Sequence, residues 1–127
     1  MQGHTESQNN LGWCYSNGFG VEKSFKKAFY LWTLAAKQGD KDAQYNLGLC
    51  LYFGKGIEQN LKESCAWFEK AANQGHMQAQ NNLGWCYEKG YGFKQNLQLA
   101  AKWYIKSANQ GNIFAQYNIG RCFKNCS

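Results

Sequence analysis

The octapeptide QNNLGWCY occurs twice in this chain of 127 residues, at Gln8–Tyr15 and again at Gln80–Tyr87. Two partly altered copies, at Gln44–Leu51 and Gln116–Phe123, show that the repeat spacing is 36 residues. An octapeptide that contains Trp and Cys does not recur by chance in so short a chain. A fixed period of about 20–50 residues is the signature of repeat architectures, so the period constrains the fold more than any other feature.

Each unit is predicted to contain two helices. In the first segment, Ala43, Leu47, Cys50 and Leu51 stand at i, i+4, i+7 and i+8, which is one helical face. The second segment of the same unit has a similar face, formed by Leu61, Ser64, Phe68, Ala71 and Ala72. Proline, the commonest helix breaker, is absent from the chain. A single helix pair cannot bury its apolar face, so tandem pairs are expected to stack into a solenoid.

The predicted helix ends recur with the same period. Good N-cap residues precede the second helices at Ser24, Asn60 and Asn96. The second helices are followed by glycines that suit a left-handed C′ position: Gly39, Gly75 and Gly111. The residues expected to open the first helices are His4, Asp40, His76 and Asn112. A Gly-x-Gly motif at 18–20, 54–56 and 90–92 is predicted to turn the chain between the two helices of a unit.

Glycine also recurs inside the first helices, where it costs about 1 kcal/mol relative to alanine. The four positions are Gly12, Gly48, Gly84 and Gly120. We expect a neighbouring helix to approach closely at each of them.

These motifs resemble the Sel-1-like repeat, a longer relative of the tetratricopeptide repeat. The pattern A-x-x-x-L-G-x-x-Y, then G-x-G, then W-[FY]-x-x-A-A-x-x-G is matched from Ala79 to Gly111. Leu51 and Ser107 depart from it, and the resemblance covers nearly the whole chain. It implies an all-α, right-handed superhelical solenoid of antiparallel helix pairs, here with about seven helices, whose first helices line the concave wall.

The register predicts one array over 1–127, with units at about 4–39, 40–75 and 76–111 and a final half-unit at 112–127. We expect the chain to be part of a longer array, or its uncapped ends to meet another chain and allow self-association. The resemblance implies a scaffold or adaptor that binds proteins or peptides. It also implies an alternative, a regulatory array attached to a kinase-type domain.

One stripe on the first helices is left over once their packing faces are assigned. In the tetratricopeptide repeat the matching positions face a binding groove, and an Asn there hydrogen-bonds a peptide backbone. Asn donates and accepts together, and Trp and Arg are enriched at binding hot spots. The alternative is that these Asn residues brace the neighbouring unit and that the Trp residues belong to the core. The candidate partner-binding residues are Asn10, Trp13, Asn46, Leu49, Asn82, Trp85, Asn118 and Arg121.

The formal net charge of +6 comes from the last third of the chain, because residues 89–127 contain no Asp or Glu. This favours solvated lysines on helix surfaces, with an acidic-partner surface or a nucleic-acid surface as less favoured alternatives. Nucleic acid would need a basic groove in every unit, whereas the first two thirds of the chain are neutral. The candidate basic patch consists of Lys89, Lys94, Lys102, Lys106, Arg121 and Lys124.

Six cysteines are present, yet the C-x-x-C spacing of zinc sites is missing. Four of them recur with the 36-residue period, and stacked helices lie about 8–10 Å apart, beyond the reach of a disulfide. Cysteine-rich members of the family bridge the two helices of a unit, and only the unit of Cys65 offers a candidate. We therefore expect six thiols, with Cys65 and Cys126 the most reactive.

No metal, cofactor or catalytic chemistry is predicted. His4 and His76 lie two units apart, and Ser24-x-x-Lys27 is better explained by helix capping. The chain lacks a phosphate-binding loop, so we expect a protein that is not an enzyme. No apolar run approaches the ~20 residues that span a bilayer. The polar N-terminal stretch does not resemble a signal peptide, which favours a cytoplasmic location and no membrane insertion.

Overall fold

The computed structural model describes the backbone of residues 2–126 and the side chains of residues 4–124. Within residues 2–126 the chain forms seven α-helices and no strand, and each helix packs against the next one along the sequence. The expected all-α solenoid of helix pairs is confirmed. The helices are α1 (Gln2–Asn17), α2 (Phe25–Lys37), α3 (Lys41–Phe53), α4 (Leu61–Asn73), α5 (Met77–Lys89), α6 (Leu97–Asn109) and α7 (Ile113–Cys126).

The predicted N-caps of the second helices are confirmed. The side chains of Ser24, Asn60 and Asn96 each accept a hydrogen bond from the backbone N–H three residues later. Asp40 and His76 cap α3 and α5 in the same way. These bonds satisfy backbone donors that have no partner within a helix. They fix where each helix begins.

His4 does not open α1, contrary to the prediction, because α1 already begins at Gln2. Its side chain is exposed, and Gln8 lies one turn away, with 3.2 Å between His4 Nε2 and Gln8 Nε2. The Asp and His side chains at the matching positions cap helices because the left-handed glycines before them end the preceding helix. The structure therefore gives His4 a place inside a helix instead of at its end.

The Gly-x-Gly turns bring neighbouring units into contact. Gly54 and Gly56 have φ values of 70° and 81°, in the left-handed region where side chains are strained. A Cβ on Gly56 would in addition overlap the backbone carbonyl of Phe25 in the preceding unit. Glycine is thus required here both by the turn and by the close approach of the two units.

Aromatic rings of the second helices pack against glycines inside the first helices. A Cβ on Gly48 would lie 2.6 Å from the Phe68 ring, and a Cβ on Gly84 would lie 2.7 Å from the Tyr104 ring. Gly12 has the same relation to Trp32, so the expected close approach is confirmed at three positions. At Gly120, among the described residues, no neighbouring atom lies within 4 Å of the place that a Cβ would take.

Small and aromatic residues share the core between the helix pairs. Phe68 and Tyr104 are almost fully buried, and many alanines of the helices are buried as well. Small side chains let the helices approach, and one large ring per pair fills the space that remains. The fully buried alanines are Ala28, Ala35, Ala43, Ala71, Ala79, Ala100 and Ala115.

The repeated Gln-Gly pairs have a role that was not predicted from the sequence. The Gln74 side-chain amide donates to the Gly39 carbonyl at 2.9 Å and to the Gln44 side chain at 2.9 Å. Gln110 makes the same two bonds with Gly75 and Gln80. Each bond pair joins one unit to the next, so this glutamine ladder sets the spacing of the stack. The recurrence of Gln every 36 residues is the sequence feature from which this inter-unit role could have been predicted.

Candidate partner-binding groove

A cavity of about 430 Å³ opens between α3, α5 and α7. It contains four of the eight candidate partner-binding residues, contributed by three consecutive first helices. We call it the α3–α5–α7 groove, lined by Tyr45, Leu49, Tyr52, Phe53, Phe68, Asn81, Asn82, Trp85 and Asn118.

The helical period places these side chains on the open side of each first helix. Tyr45, Leu49 and Tyr52 stand at i, i+4 and i+7 on α3 and are half-buried. Leu47 and Leu51 lie on the packing face of the same helix and are almost fully buried. The division between core and groove therefore follows from helix geometry alone.

The repeated asparagines connect neighbouring first helices. Asn46 Nδ2 donates to Asn9 Oδ1 at 3.0 Å, and Asn118 Nδ2 donates to Asn81 Oδ1 at 2.8 Å. Between these pairs, the Asn82 side chain hydrogen-bonds Tyr45. Burial raises the pKa of Tyr45, and the bond from Asn82 opposes that rise. The bracing interpretation considered from the sequence thus describes contacts that these residues do make.

Bracing does not remove the asparagines from the groove. Asn82 and Asn118 remain half-buried and line it, so their amides border the space where a ligand would lie. A side-chain amide has two donor hydrogens and two acceptor lone pairs. Asn118 donates one hydrogen to Asn81 and accepts one bond from the Arg121 guanidinium, which leaves one donor and one lone pair. The same residues can set the groove's spacing and present polar atoms to it.

Trp85, which lines the groove, is held by contacts on several sides. Its Nε1 donates to Tyr52 Oη at 3.0 Å, across two first helices. Lys89 Nζ lies 4.7 Å from the centre of the Trp85 ring, and Arg121 Cζ lies 5.1 Å from it. A ring fixed in this way loses little conformational freedom when a partner packs on it.

Arg121 is committed to an ion pair that was not predicted. Its Nε donates to Glu88 Oε2 at 3.0 Å, and its NH2 group donates to Glu88 Oε1 at 2.6 Å. Tyr104 Oη donates to Glu88 as well, at 2.7 Å. The charges were counted from the sequence over residues 89–127, which contain no acidic residue. Glu88 lies one residue before this stretch, so the count did not include the carboxylate that pairs with Arg121.

The ion pair controls the charge of Glu88. Burial alone raises the pKa of this carboxyl, but the hydrogen bonds from Arg121 and Tyr104 outweigh burial and lower the pKa. Burial and the neighbouring Glu88 together raise the pKa of Tyr104. At neutral pH the site therefore holds a carboxylate, a guanidinium and a neutral phenol, with no net charge.

Four predicted residues do not line the α3–α5–α7 groove, and Arg121 is one of them, although its guanidinium lies over the Trp85 ring at the groove. Asn46 lines a second cavity of about 340 Å³ between α1 and α3, which also includes Leu49. Trp13 is 53 % exposed and packs against Phe19, with 4.9 Å between ring centres. Asn10 is exposed, and neither it nor Trp13 lines either cavity. The two copies of QNNLGWCY therefore have different surroundings.

The candidate basic residues do not lie together at one cavity. Lys89 and Arg121 flank Trp85 at the groove. Lys102 and Lys106 line a separate apolar cavity beside α6, and Lys106 Nζ lies 4.6 Å from the Trp103 ring centre. Lys94 and Lys124 are exposed and line neither. The charge excess of this part of the chain is distributed over more than one surface.

The prediction of six thiols is wrong, because Cys65 and Cys86 form a disulfide. Their Cα atoms are 6.1 Å apart, and both side chains are fully buried. The repeat spacing gives distances only between cysteines in register, and Cys65 was considered only with partners in its own unit. Cys65 lies on α4, and α4 packs directly against α5 of the next unit, which carries Cys86.

The remaining described cysteines are placed differently. Burial raises the pKa of Cys50 to about 11, so its thiol is protonated at neutral pH and unreactive. Cys122 is buried and its thiol donates to the Leu97 carbonyl. The side chain of Cys126, which was expected to be reactive, lies outside the described residues.

The disulfide also supports the groove. Phe68 packs against Cys65 and Cys86 and at the same time lines the groove, so the cross-link holds one of the groove's wall residues in place.

His76 caps the N-terminus of α5 and lies next to the groove. Its Nδ1 accepts from the Ala79 backbone N–H at 3.1 Å, and its Nε2 lies 3.3 Å from Asp42. The ring stacks on Tyr45 with 4.5 Å between centres. Burial lowers the pKa of His76, and the nearby Asp42 and Asp40 carboxylates only partly offset this.

We expect stability to depend on pH through His76. Its folded-state pKa lies below the unfolded value of about 6.5, so the unfolded chain binds more protons between these two values. The free energy of unfolding is therefore fully retained above about pH 6.5 and falls as the pH decreases below it. Protonation also removes the Nδ1 acceptor that caps α5. Urea unfolding at a series of pH values measures the effect.

The matched control is His76→Asn, because Asn112 occupies the corresponding position before α7 and caps it without titrating. This variant should lose the part of the pH dependence below about pH 6.5 that comes from His76, while other groups still titrate. Equal pH profiles for the wild type and the variant would rule out His76 as the source.

Within the described residues, no group of three or more His, Cys, Asp or Glu side chains is arranged to hold a metal ion. None of the helices in the described part of the chain is long and apolar enough to cross a membrane.

Solved structures similar to this chain are helical repeat proteins. A Sel1 repeat protein from Oxalobacter formigenes has a TM-score of 0.89 and 38% identity, over 94% of this chain and 49% of its own. The protective antigen c5321 of uropathogenic Escherichia coli, which displays an SLR fold, has a TM-score of 0.93 and 35% identity. That match covers 98% of this chain and 27% of the antigen.

Helicobacter pylori cysteine rich protein B is more distant, with a TM-score of 0.74 and 21% identity over 90% of this chain and 87% of its own, and it supports the fold alone. The chain spans about half of the first relative and about a quarter of the second. No curated protein sequence gives a significant match. The Sel1 repeat pattern matches three times, at residues 5–40, 41–76 and 78–112, so the chain belongs to the Sel1 repeat family.

Proposed function

We propose that the chain is a non-catalytic interaction module that binds a peptide or a partner domain in the α3–α5–α7 groove. Proteins of the Sel1 repeat family are generally protein-interaction modules, and their arrays are typically non-catalytic scaffolds. We assign this general role to the groove. The proposal includes a protein or peptide partner and no cofactor.

One observation carries the proposal: three consecutive first helices direct aromatic rings and side-chain amides into one open cavity. Trp85, Asn82 and Asn118 all line it. Aromatic anchors supply contact area, and amides match the alternating donors and acceptors of an extended backbone. A surface that only served packing would close over these groups, whereas here they remain half-exposed.

The test uses the double variant Asn82→Ala/Trp85→Ala. Selection from a library of random displayed peptides should enrich binders on the wild type and fail on this variant. The matched control is Asn10→Ala/Trp13→Ala, the same pair of residues in the other copy of QNNLGWCY but outside the groove, and it should retain binding. Helical circular dichroism and a urea midpoint show whether each variant is folded.

A second variant separates contact from stability. Trp85→Phe loses the hydrogen bond to Tyr52 but keeps an aromatic ring at this position. Because the ring supplies the contact with the partner, this variant should retain most of the binding. If Trp85→Phe and the double alanine variant lose binding only in proportion to lost stability, the residues are structural and the proposed site is wrong.

Two alternatives from the sequence are tested alongside the proposal. A nucleic-acid ligand would show an affinity that falls steeply as salt rises, because phosphate binding releases counterions. The pairing of Arg121 with Glu88 removes one cation from such a surface. The regulatory role in a kinase-type protein is tested by sequencing the gene on both sides of this segment.

The cytoplasmic location is a proposal that the disulfide makes directly testable. Reducing compartments keep most cysteines as thiols, whereas oxidising compartments preserve disulfides. Trapping free thiols in freshly lysed cells reports the state of Cys65 and Cys86 in place. If they are trapped as thiols, the cytoplasmic proposal stands, and if they are oxidised it is wrong. Self-association is tested separately by sedimentation at increasing concentration.

A further inference from the structure

The binding surface is longer than the α3–α5–α7 groove. The second cavity, between α1 and α3, shares Leu49 and Phe53 with it. Phe53 is 61 % exposed although it is a large apolar side chain at the end of α3. The two cavities therefore form one trough with an apolar ridge between them, which suits an extended segment that places side chains on both sides of the ridge.

Carboxylates are missing from the walls of this trough. Among the described residues that line the two cavities, none is Asp or Glu. Glu88 lies nearby, but it is buried and bonded to Arg121 and Tyr104. The wall residues are aromatic, aliphatic, amide and lysine side chains, with one serine and one cysteine. An acidic ligand would therefore meet no repulsion from an uncompensated carboxylate in the walls.

Lysines lie beside both cavities of the trough. Lys55 follows the end of α3, with its Nζ 5.9 Å from the Phe53 ring and 5.1 Å from the Phe25 ring. Lys89 ends α5 and lies 4.7 Å from the Trp85 ring. Lys23, which follows α1, lines the second cavity. Lys23 and Lys55 thus belong to the second cavity and Lys89 lies over a ring of the first, so each cavity of the trough has an ammonium group beside it.

We propose that the trough takes an extended peptide with a large apolar side chain flanked by acidic residues. The apolar side chain occupies the α3–α5–α7 groove against Trp85, and the carboxylates lie against Lys55 and Lys89. This assignment rests on the proposed function and narrows it to a class of partner. Opposite charges across an interface add affinity and specificity, more strongly at low ionic strength.

The experiment uses fluorescein-labelled synthetic peptides with both ends blocked, so that no terminal carboxylate contributes. The reference peptide has a central Leu with Glu on both sides, and fluorescence polarisation measures its dissociation constant. Matched peptides replace Glu by Gln, Glu by Lys, or Leu by Ala. We expect the Gln version to bind about tenfold more weakly, because two exposed ion pairs are lost. The Lys and Ala versions should be weaker still.

The protein variants exchange charge at the same positions. Lys55→Glu/Lys89→Glu should lose affinity for the Glu peptide and gain affinity for the Lys peptide. The control is Lys70→Glu/Lys106→Glu, since these lysines also lie over Trp rings, at 4.5 and 4.6 Å, but their rings, Trp67 and Trp103, line neither cavity of the trough. That control should bind like the wild type.

The outcomes distinguish this inference from the proposed function. Equal affinity for the Glu and Gln peptides, with loss of both in Asn82→Ala/Trp85→Ala, would overturn the charge assignment and leave the groove intact. If no peptide binds and the library selection also fails, both proposals are overturned. Tighter binding of oligouridylate than of any peptide, lost in Lys55→Glu/Lys89→Glu, would assign the trough to single-stranded nucleic acid instead.

Discussion

Reducing the Cys65–Cys86 disulfide is expected to lower the free energy of unfolding by about 3 kcal/mol. The bond joins residues 21 positions apart, and a closed loop of this length restricts the unfolded chain by about that amount. It also holds α4 of one unit against α5 of the next. In a solenoid, stability is approximately the sum of unit and interface contributions, so one locked interface affects the whole stack.

Urea unfolding with and without reductant measures this difference, and Cys65→Ala/Cys86→Ala repeats it without reductant. Cys14→Ser is the matched control, because Cys14 occupies the register position of Cys86 but forms no disulfide. Reductant should lower the urea midpoint of this control as much as it lowers that of the wild type. Titration of the denatured protein should find two more thiols after reduction than before. Identical counts would show that Cys65 and Cys86 are not bonded.

Gly84→Ala should destabilise the protein by about 2 kcal/mol although alanine is the better helix former. A Cβ here meets the Tyr104 ring at 2.7 Å and the Ala100 carbonyl at 3.1 Å. The ring cannot move away, because it is fully buried and its hydroxyl is bonded to Glu88. A contact this short puts the overpacking cost at the upper end of its usual range, about 3 kcal/mol, and the propensity gain of about 1 kcal/mol leaves a net loss of about 2 kcal/mol.

Gly120→Ala provides the control at the same register position. Among the described residues, no neighbouring atom lies within 4 Å of a Cβ at Gly120, so only the helix propensity changes. This variant should be more stable than the wild type by up to about 1 kcal/mol. The two urea midpoints should therefore move in opposite directions. A shift in the same direction would mean that ring packing does not explain the glycine at 84.

Gly84 and Gly120 show that positions in the same register of a repeat can have different contacts. Both look equivalent in the sequence, yet only Gly84 receives an aromatic ring. The two copies of QNNLGWCY differ in the same way, since Trp85 is braced by Tyr52 and Trp13 is exposed. Register predicts what kind of residue each position needs, and the neighbouring unit determines what that residue contacts.

The helix caps, the turns and three of the four close glycine contacts were predictable, because each depends on a few residues within one or two helices. Ser24 caps α2 through the backbone N–H three residues later, a contact that any helix start would permit. The candidate groove was partly predictable. Asn82 and Trp85 stood out by their period, but Tyr45, Tyr52 and Phe53 were assigned to no site.

Local sequence was enough to establish that this chain stacks helix pairs and where most of its helices begin and end. Those features follow from local hydrogen bonding and from a short period of apolar residues. Packing in three dimensions was needed to pair Cys65 with Cys86 and Arg121 with Glu88. Each pair joins residues that are out of register with one another, so their proximity follows from the packing of successive units and not from the repeat itself.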